Sequence, residues 1–196
     1  MLTIIIIAAV IIVLGAIGAG IAALILRGWA KGVLAGGGFS VNPLTAAQLD
    51  TFLTDAAFTV TARREFPYPA HKVWDALQLN GTFSWIPFVN GIRYRDDYRR
   101  EGASRSFDGM LFACEEKTVT MAQNTRLTVT GTKISIPFLI NAFAQDYRLT
   151  ESEGITTLNW TIAVSPRIGS FLPMRWAAPF VRPFLTIGIK GLAARI

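Results

Sequence analysis

From Leu2 to Leu26 the chain carries no charged, amide or aromatic side chain, and Thr3 is its one polar residue. A helix over that run is roughly 37 Å long at about 1.5 Å per residue, enough to cross a bilayer core of about 30 Å. A secretory signal would place basic residues ahead of a shorter apolar run of about 7–15 residues, and Met1-Leu2-Thr3 offers none. Residues 1–27 therefore read as a retained transmembrane anchor. Arg27 and Lys31 follow the span and nothing basic precedes it, so the positive-inside rule places the rest in the cytoplasm as a single-pass protein of the cell membrane. Small residues recur at four-residue spacing (Gly15/Ala19, Ala16/Gly20, Gly18/Ala22). Such faces let helices approach closely, but lone spans carry them too.

The pattern then changes period. Residues 28–56 read as a connector, made flexible by Gly28, Gly32 and Gly36-Gly37-Gly38. Within it Thr45 can cap a short helix to Asp55 that carries Leu49, Phe52 and Leu53 on one side. From Phe58, apolar and polar residues alternate as in a strand, up to Phe66-Pro-Tyr-Pro. Ala70 to Leu79 predicts a helix with Val73, Trp74 and Leu77 on one face, and a helical or turn segment follows around Pro87. Strand-like runs come next at 92–98, 103–114, 117–122, 126–136, 143–150 and 156–164, separated by Asp, Asn and Gly. Short loops between repeated strands favour an antiparallel meander. From Ile168 onward, Phe171, Trp176, Phe180, Phe184 and Ile187 recur at helical spacing, with Arg175 and Arg182 on a flank. Pro173, Pro179 and Pro183 are expected to break or kink that helix, because each removes a backbone donor. The predicted class is thus α+β, a curved antiparallel sheet around a long C-terminal helix, preceded by one transmembrane helix.

Composition sharpens this picture. Charged residues are only 16% of the chain, below the roughly 25% of a soluble domain, as a membrane segment requires. The net charge of +6 suits attraction to anionic membrane lipids. Nucleic acid is not indicated, since Lys and Arg are scattered beyond pairs such as Arg63-Arg64 and Arg99-Arg100. A single cysteine, Cys114, excludes an intrachain disulfide, and with one histidine it cannot build a structural zinc site. No cofactor is implied: the glycine triplet lacks the Lys-Ser/Thr of a phosphate loop, and serine-elbow and redox-cysteine motifs do not occur.

Candidate chemistry is sparse. His71 follows Pro69 in the first turn of a helix, where a solvent-facing position is expected. Asp96-Asp97 and Glu115-Glu116 read as solvated turn or edge residues, because neighbours on a strand point to opposite faces. Asp108 sits inside an otherwise apolar strand, and with Arg105 it points either to the inside of the sheet or to an exposed cross-strand pair. The aromatic residues fill a core by default, yet a sheet closed by one helix can enclose more volume than its side chains occupy.

The run Phe66-Pro-Tyr-Pro-Ala-His-Lys-Val-Trp-Asp-Ala-Leu resembles the opening of the START-like (SRPBCC) superfamily. Phe83-Ser-Trp-Ile-Pro-Phe-Val is similar to its second short helix, and Tyr147-Arg-Leu-Thr with Thr157-Leu-Asn-Trp resembles its last two strands. The likeness covers residues 57–196 and is strongest to the polyketide cyclase/dehydrase-like branch. It implies a helix-grip fold with a deep apolar cavity that holds lipids, quinones, polyketides or similar molecules. It also implies that Trp74 and Trp85 lie near the cavity mouth, and that Phe107 or Phe112, Tyr147 and Trp160 come from strands. Trp176, Phe180 and Phe184 would come from the terminal helix.

Three functions fit. The first is a membrane-tethered binding or carrier domain for an apolar small molecule, with membrane lipids as its other partner. The second is an adaptor for another membrane protein or complex. The third is a polyketide cyclase/dehydratase-like enzyme, whose acid–base groups would have to come from Asp108, Arg105, Tyr147 or His71. No motif demands catalysis, and no catalytic or metal-binding residue is assigned.

Overall fold

The computed structural model describes residues 2–167 and 178–196, with side chains from residue 13 onward except at 180. Among the described residues, eight antiparallel strands form one curled sheet: the short β1 (Phe39–Ser40) at its side, and on its main path β2 (Phe58–Phe66), β3 (Val89–Tyr94), β4 (Ser104–Gly109), β5 (Ala113–Ala122), β6 (Arg126–Ile134), β7 (Ile140–Ser152) and β8 (Ile155–Pro166). The order along that path is β2-β8-β7-β6-β5-β4-β3, so β2 closes onto the last strand and the rest is a meander. Irregular register at Glu115/Glu116 and Thr118/Thr120, and between Val89 and Gly91 on β3, bends the sheet.

The concave face is covered by α3 (Ala70–Leu77) and α4 (Ala178–Leu192). Val73, Trp74 and Leu77 of α3 and Leu185, Ile189 and Leu192 of α4 bury their side chains against Phe66, Leu158 and Trp160 of the sheet. The carboxylate of Glu151 on β7 accepts the Ala70 N–H at 2.7 Å, satisfying an otherwise orphaned donor at the start of α3. On α4, Gly188 and Gly191 face the tryptophans. A Cβ at 191 would overlap the Trp85 ring, and one at 188 would lie 2.8 Å from Trp160.

Pro179 and Pro183 do not break α4, which runs as one element through both. Pro179 sits in the first turn, where its missing N–H has no helical partner to lose. Pro173, Phe171, Arg175 and Trp176 lie outside the described residues.

At the N-terminus, α1 (Leu2–Leu34) does not stop at Arg27. It continues through Gly28 and Gly32, where a flexible connector was expected, because Ala30 and Val33 pack on Ala113 of β5. Tertiary packing there outweighs glycine's poor helix propensity. The described part from Val13 to Leu34 is long and apolar enough to cross a membrane. After a turn through Gly36, β1 (Phe39–Ser40) pairs with Ile134 and Lys133 at the end of β6. It fills the gap left where β7 diverges, since β6–β7 pairing ends at Thr130↔Ala144. The short helix α2 (Ala46–Asp55) follows as expected, with Thr45 as N-cap and Gln48 accepting the Thr45 N–H at 3.0 Å. Asp50 of α2 reaches Arg126 at 2.6 Å and Arg148 at 3.2 Å on the outer face of the sheet, and both arginines also hold the buried Asp146.

The expected strand 103–114 is two strands. The chain reverses at Gly109-Met110-Leu111-Phe112, closed by Gly109 N–H to the Phe112 carbonyl at 3.0 Å. An apolar run across the reversal disguised the turn.

Candidate apolar cavity

Alternation along each strand decides which side chains meet inside the curl. On β4, Arg105 and Phe107 face inward, while Asp108 faces out to pair with Arg93 at 2.9 Å and Asn90 at 3.0 Å. Cys114 and Glu116 of β5 point inward, as do Phe143, Gln145 and Tyr147 of β7 and Trp160, Ile162 and Val164 of β8. With Phe184 and Val181 of α4, these strands enclose a cavity of about 350 Å³. Its walls are apolar except at Gln145 and Cys114. That volume lies in the range of small-molecule sites, about 300–1,000 Å³.

A stack of rings closes one end. Phe83 lies on Trp160 with centroids 4.5 Å apart and planes 9° apart, and Trp160 lies on Tyr147 at 5.4 Å. The opposite end is lined by Phe112, Ile140 and Val164, all near strand termini.

Behind the stack is a buried polar network. Arg105, 1% exposed, donates from Nε to Oε2 of Glu116, 0% exposed, at 2.7 Å. The other Glu116 oxygen accepts from the Gln145 amide nitrogen. The Gln145 oxygen in turn accepts from Tyr147 Oη at 2.7 Å and Trp160 Nε1 at 3.0 Å. The Arg105 guanidinium also reaches Tyr147 Oη at 3.4 Å and Tyr94 Oη at 3.5 Å. Burial pushes the Tyr147 hydroxyl up from its ordinary value. It pushes the Cys114 thiol well up too, helped by the Glu116 charge. For Arg105 burial acts the other way, and the Glu116 carboxylate overrides it to hold the guanidinium charged. Every buried charge here is paired and hydrogen-bonded, as burial demands.

The residues singled out in sequence therefore scatter. Phe107, Phe112, Trp160 and Phe184 line the cavity. Tyr147 and Arg105 lie in the network behind its wall. Trp74 is buried beneath α3 in the core, and Trp85 packs outside the cavity, donating Nε1 to the Gly188 carbonyl at 3.1 Å. Asp108 is on the opposite face of the sheet, and His71 is exposed on α3. Trp176 and the Phe180 side chain lie outside the described residues. Asp96 and Asp97 are solvated as expected, but Glu116 is not: it lies in phase with the inward-facing Cys114 on β5 and sits opposite Arg105 of β4.

Sequence reasoning missed Gln145, Phe143, Ile162 and Val164. The period of two would have found them, since they lie in phase with Tyr147 on β7 and Trp160 on β8. Among the described residues, no three His, Cys, Asp or Glu side chains group to hold a metal.

Residues 57–196 match the family model described as "Polyketide cyclase / dehydrase and lipid transport". A START superfamily protein from Mycobacterium smegmatis is similar in fold, with a TM-score of 0.57 at 14% identity, over 70% of this chain and 96% of that one. Ara h 8.0201 superposes with a TM-score of 0.55 at 15% identity, over 70% and 96%. A protein from Thermus thermophilus superposes with a TM-score of 0.54 at 14% identity, over the same shares. At these identities the likeness concerns the fold. No curated protein matches the chain.

Proposed function

This chain belongs to the polyketide cyclase / dehydrase and lipid transport family, and we propose that it is a membrane-tethered binding or carrier domain for an apolar small molecule. The observation that carries the reading is the cavity itself. Five phenylalanines (Phe83, Phe107, Phe112, Phe143 and Phe184) line space rather than fill it. An adaptor with a vestigial interior would have packed those rings together. Each methylene of a lipid, quinone or polyketide-like ligand buried there contributes about 0.8 kcal/mol. Among the described wall residues only Gln145 carries an amide, and with its oxygen taken by Tyr147 and Trp160 and one N–H by Glu116, its second N–H suits a ligand with one acceptor oxygen better than a charged one.

The same geometry disfavours acid–base chemistry in the cavity. Of the four residues that could have supplied it, Asp108 and His71 do not face the cavity, and Arg105 and Tyr147 are bound into the network. On this reading α1 is the tether, and it raises the effective concentration of the cavity near ligands dissolved in the bilayer. On the same reading, Arg27 and Lys31 near the C-terminal end of α1 favour the cytoplasmic side for the domain.

Uptake of a polarity-sensitive apolar fluorophore from vesicles tests the proposal. The wild-type protein and Ile187→Asp, an exposed change on the same helix, should both take it up. Phe184→Asp, which sets a charge in the cavity wall, should abolish uptake. Equal uptake by Phe184→Asp, or none by the wild-type protein, would reject the binding reading.

A further inference from the structure

One edge of the sheet collects bulky apolar side chains that none of the described residues covers. Phe88 precedes β3, Met110 and Leu111 form the β4–β5 reversal, and Phe138 and Leu139 occupy the β6–β7 loop. Phe88 is 73% exposed and Phe138 61%. The three segments are neighbours through antiparallel pairing. The Met110 N–H bonds the Phe88 carbonyl at 2.8 Å, and Ser135, which precedes the β6–β7 loop, bonds Ala113 beside the reversal at 2.9 Å.

Two of these rings carry a second anomaly. Phe88 and Phe138 hold positive φ angles of 65° and 60°. A bulky non-glycine residue in that region is strained, and such strain collects at functional sites. Neither ring gains a buried position in return. Strained backbone that presents an exposed ring makes physical sense if the ring is buried in something outside the domain.

The position of α1 says what that is. Its Ala30 and Val33 pack on Ala113, the first residue of β5, while Leu34 lies further along the sheet beside Ser106 and Glu115. The helix upstream of Trp29 therefore projects past this same edge. Trp29 and Phe39 meet there, with ring centroids 6.3 Å apart. Exposed Arg27 and Lys31 on α1, and Arg167 set 5.8 Å above the Phe138 ring, ring the edge with positive charge. Apolar tips under basic residues and a tryptophan are the composition of an interfacial anchor.

We propose that this edge lies in the surface of the bilayer that α1 crosses, with Phe88, Leu111 and Phe138 below the headgroups. The inference rests on the tether reading and adds the orientation. It also supplies a route for the ligand. Leu111 and Leu139 point out of the edge, while the next residues, Phe112 and Ile140, line the outer end of the cavity. An apolar molecule then passes from acyl chains to cavity without crossing water.

The test places bimane at single introduced cysteines in the full-length protein, in vesicles of phosphatidylcholine and phosphatidylglycerol with doxyl-labelled acyl chains. Leu111→Cys and Phe138→Cys report the edge. Asn124→Cys and Glu153→Cys report turns at the opposite ends of the strands. Quenching at 111 and 138, with none at 124 and 153, is the expected result. Equal quenching at all four, or none at 111 and 138, would overturn the orientation. Alkaline carbonate washing separates the two readings. A protein that stays in the membrane but shows unquenched edge probes refutes the seating alone, and one that washes off refutes the tether with it. A second variant, Phe138→Gly, should relieve strain and raise the melting temperature in detergent while slowing ligand uptake from vesicles. Unchanged uptake would count against a role for this edge.

Discussion

Replacing Glu116 by glutamine removes one charge from a pair sealed inside the domain and changes little in shape. Arg105 is then left with no counter-charge, and a guanidinium cannot lose its proton to escape the cost. Breaking a buried pair from one side costs about 3–5 kcal/mol. For a chain of this size that corresponds to a drop in melting temperature of roughly 10 °C. Arg105→Met leaves the Glu116 carboxylate buried without its counter-charge instead, and it should lower the melting temperature as well. The double variant Arg105→Met/Glu116→Gln removes both charges and keeps an acceptor for Gln145. It should be more stable than Glu116→Gln alone, against the expectation for independent sites. Thermal melts of the full-length protein in detergent, followed by tryptophan fluorescence between pH 5 and 8 for all three variants, decide the matter. Additive losses, or a Glu116→Gln deficit below about 1 kcal/mol, would refute the idea that this pair is a dry, closed unit.

Three further expectations follow from the same geometry. Gly131→Ala would drive a methyl into the Phe143 ring and push that ring into the cavity, costing about 1–3 kcal/mol and lowering uptake of the apolar fluorophore, so unchanged melting and uptake would contradict the packing. The Cys114 thiol, buried and held well above its ordinary pKa, should resist maleimide at pH 8 in the native protein and react once the protein is unfolded in urea; fast native labelling would contradict its burial. The Asp50 carboxyl is held below its usual value by its hydrogen bond to Arg126, so the hold it gives α2 on the sheet is present at neutral pH. That hold fades as pH falls through the lowered value, and hydrogen exchange along 46–55 should rise there, as it should at neutral pH in Asp50→Asn.

Much of the architecture was legible because it follows local rules. The uncharged run to Leu26 marks the long helix, Thr45 marks the start of α2, and strand-like runs mark β2, β6, β7 and β8. What was illegible depends on partners distant in sequence. Whether Gly28 and Gly32 bend or stay helical is decided by Ala113 on a strand eighty-odd residues later. Glu115-Glu116 looked solvated because a regular strand sends neighbours to opposite faces, and the phase that carries Cys114 inward carries Glu116 with it, opposite Arg105 on β4. Asp108 was open to either face in the sequence, and the phase of β4, with Phe107 facing α4, sends it outward to Arg93. At the candidate site, the aromatic residues of β4, β8 and α4 were recognisable, whereas Gln145 and Cys114 carry no motif and become visible once the strands are paired.

Native mass spectrometry of the full-length protein, released from its own membranes and followed by identification of bound small molecules, tests the central claim most directly. A defined apolar molecule bound one to one, and lost in Phe184→Asp, is the expected result. A mass equal to that of the bare chain would contradict it, with a co-purifying membrane protein in place of the ligand.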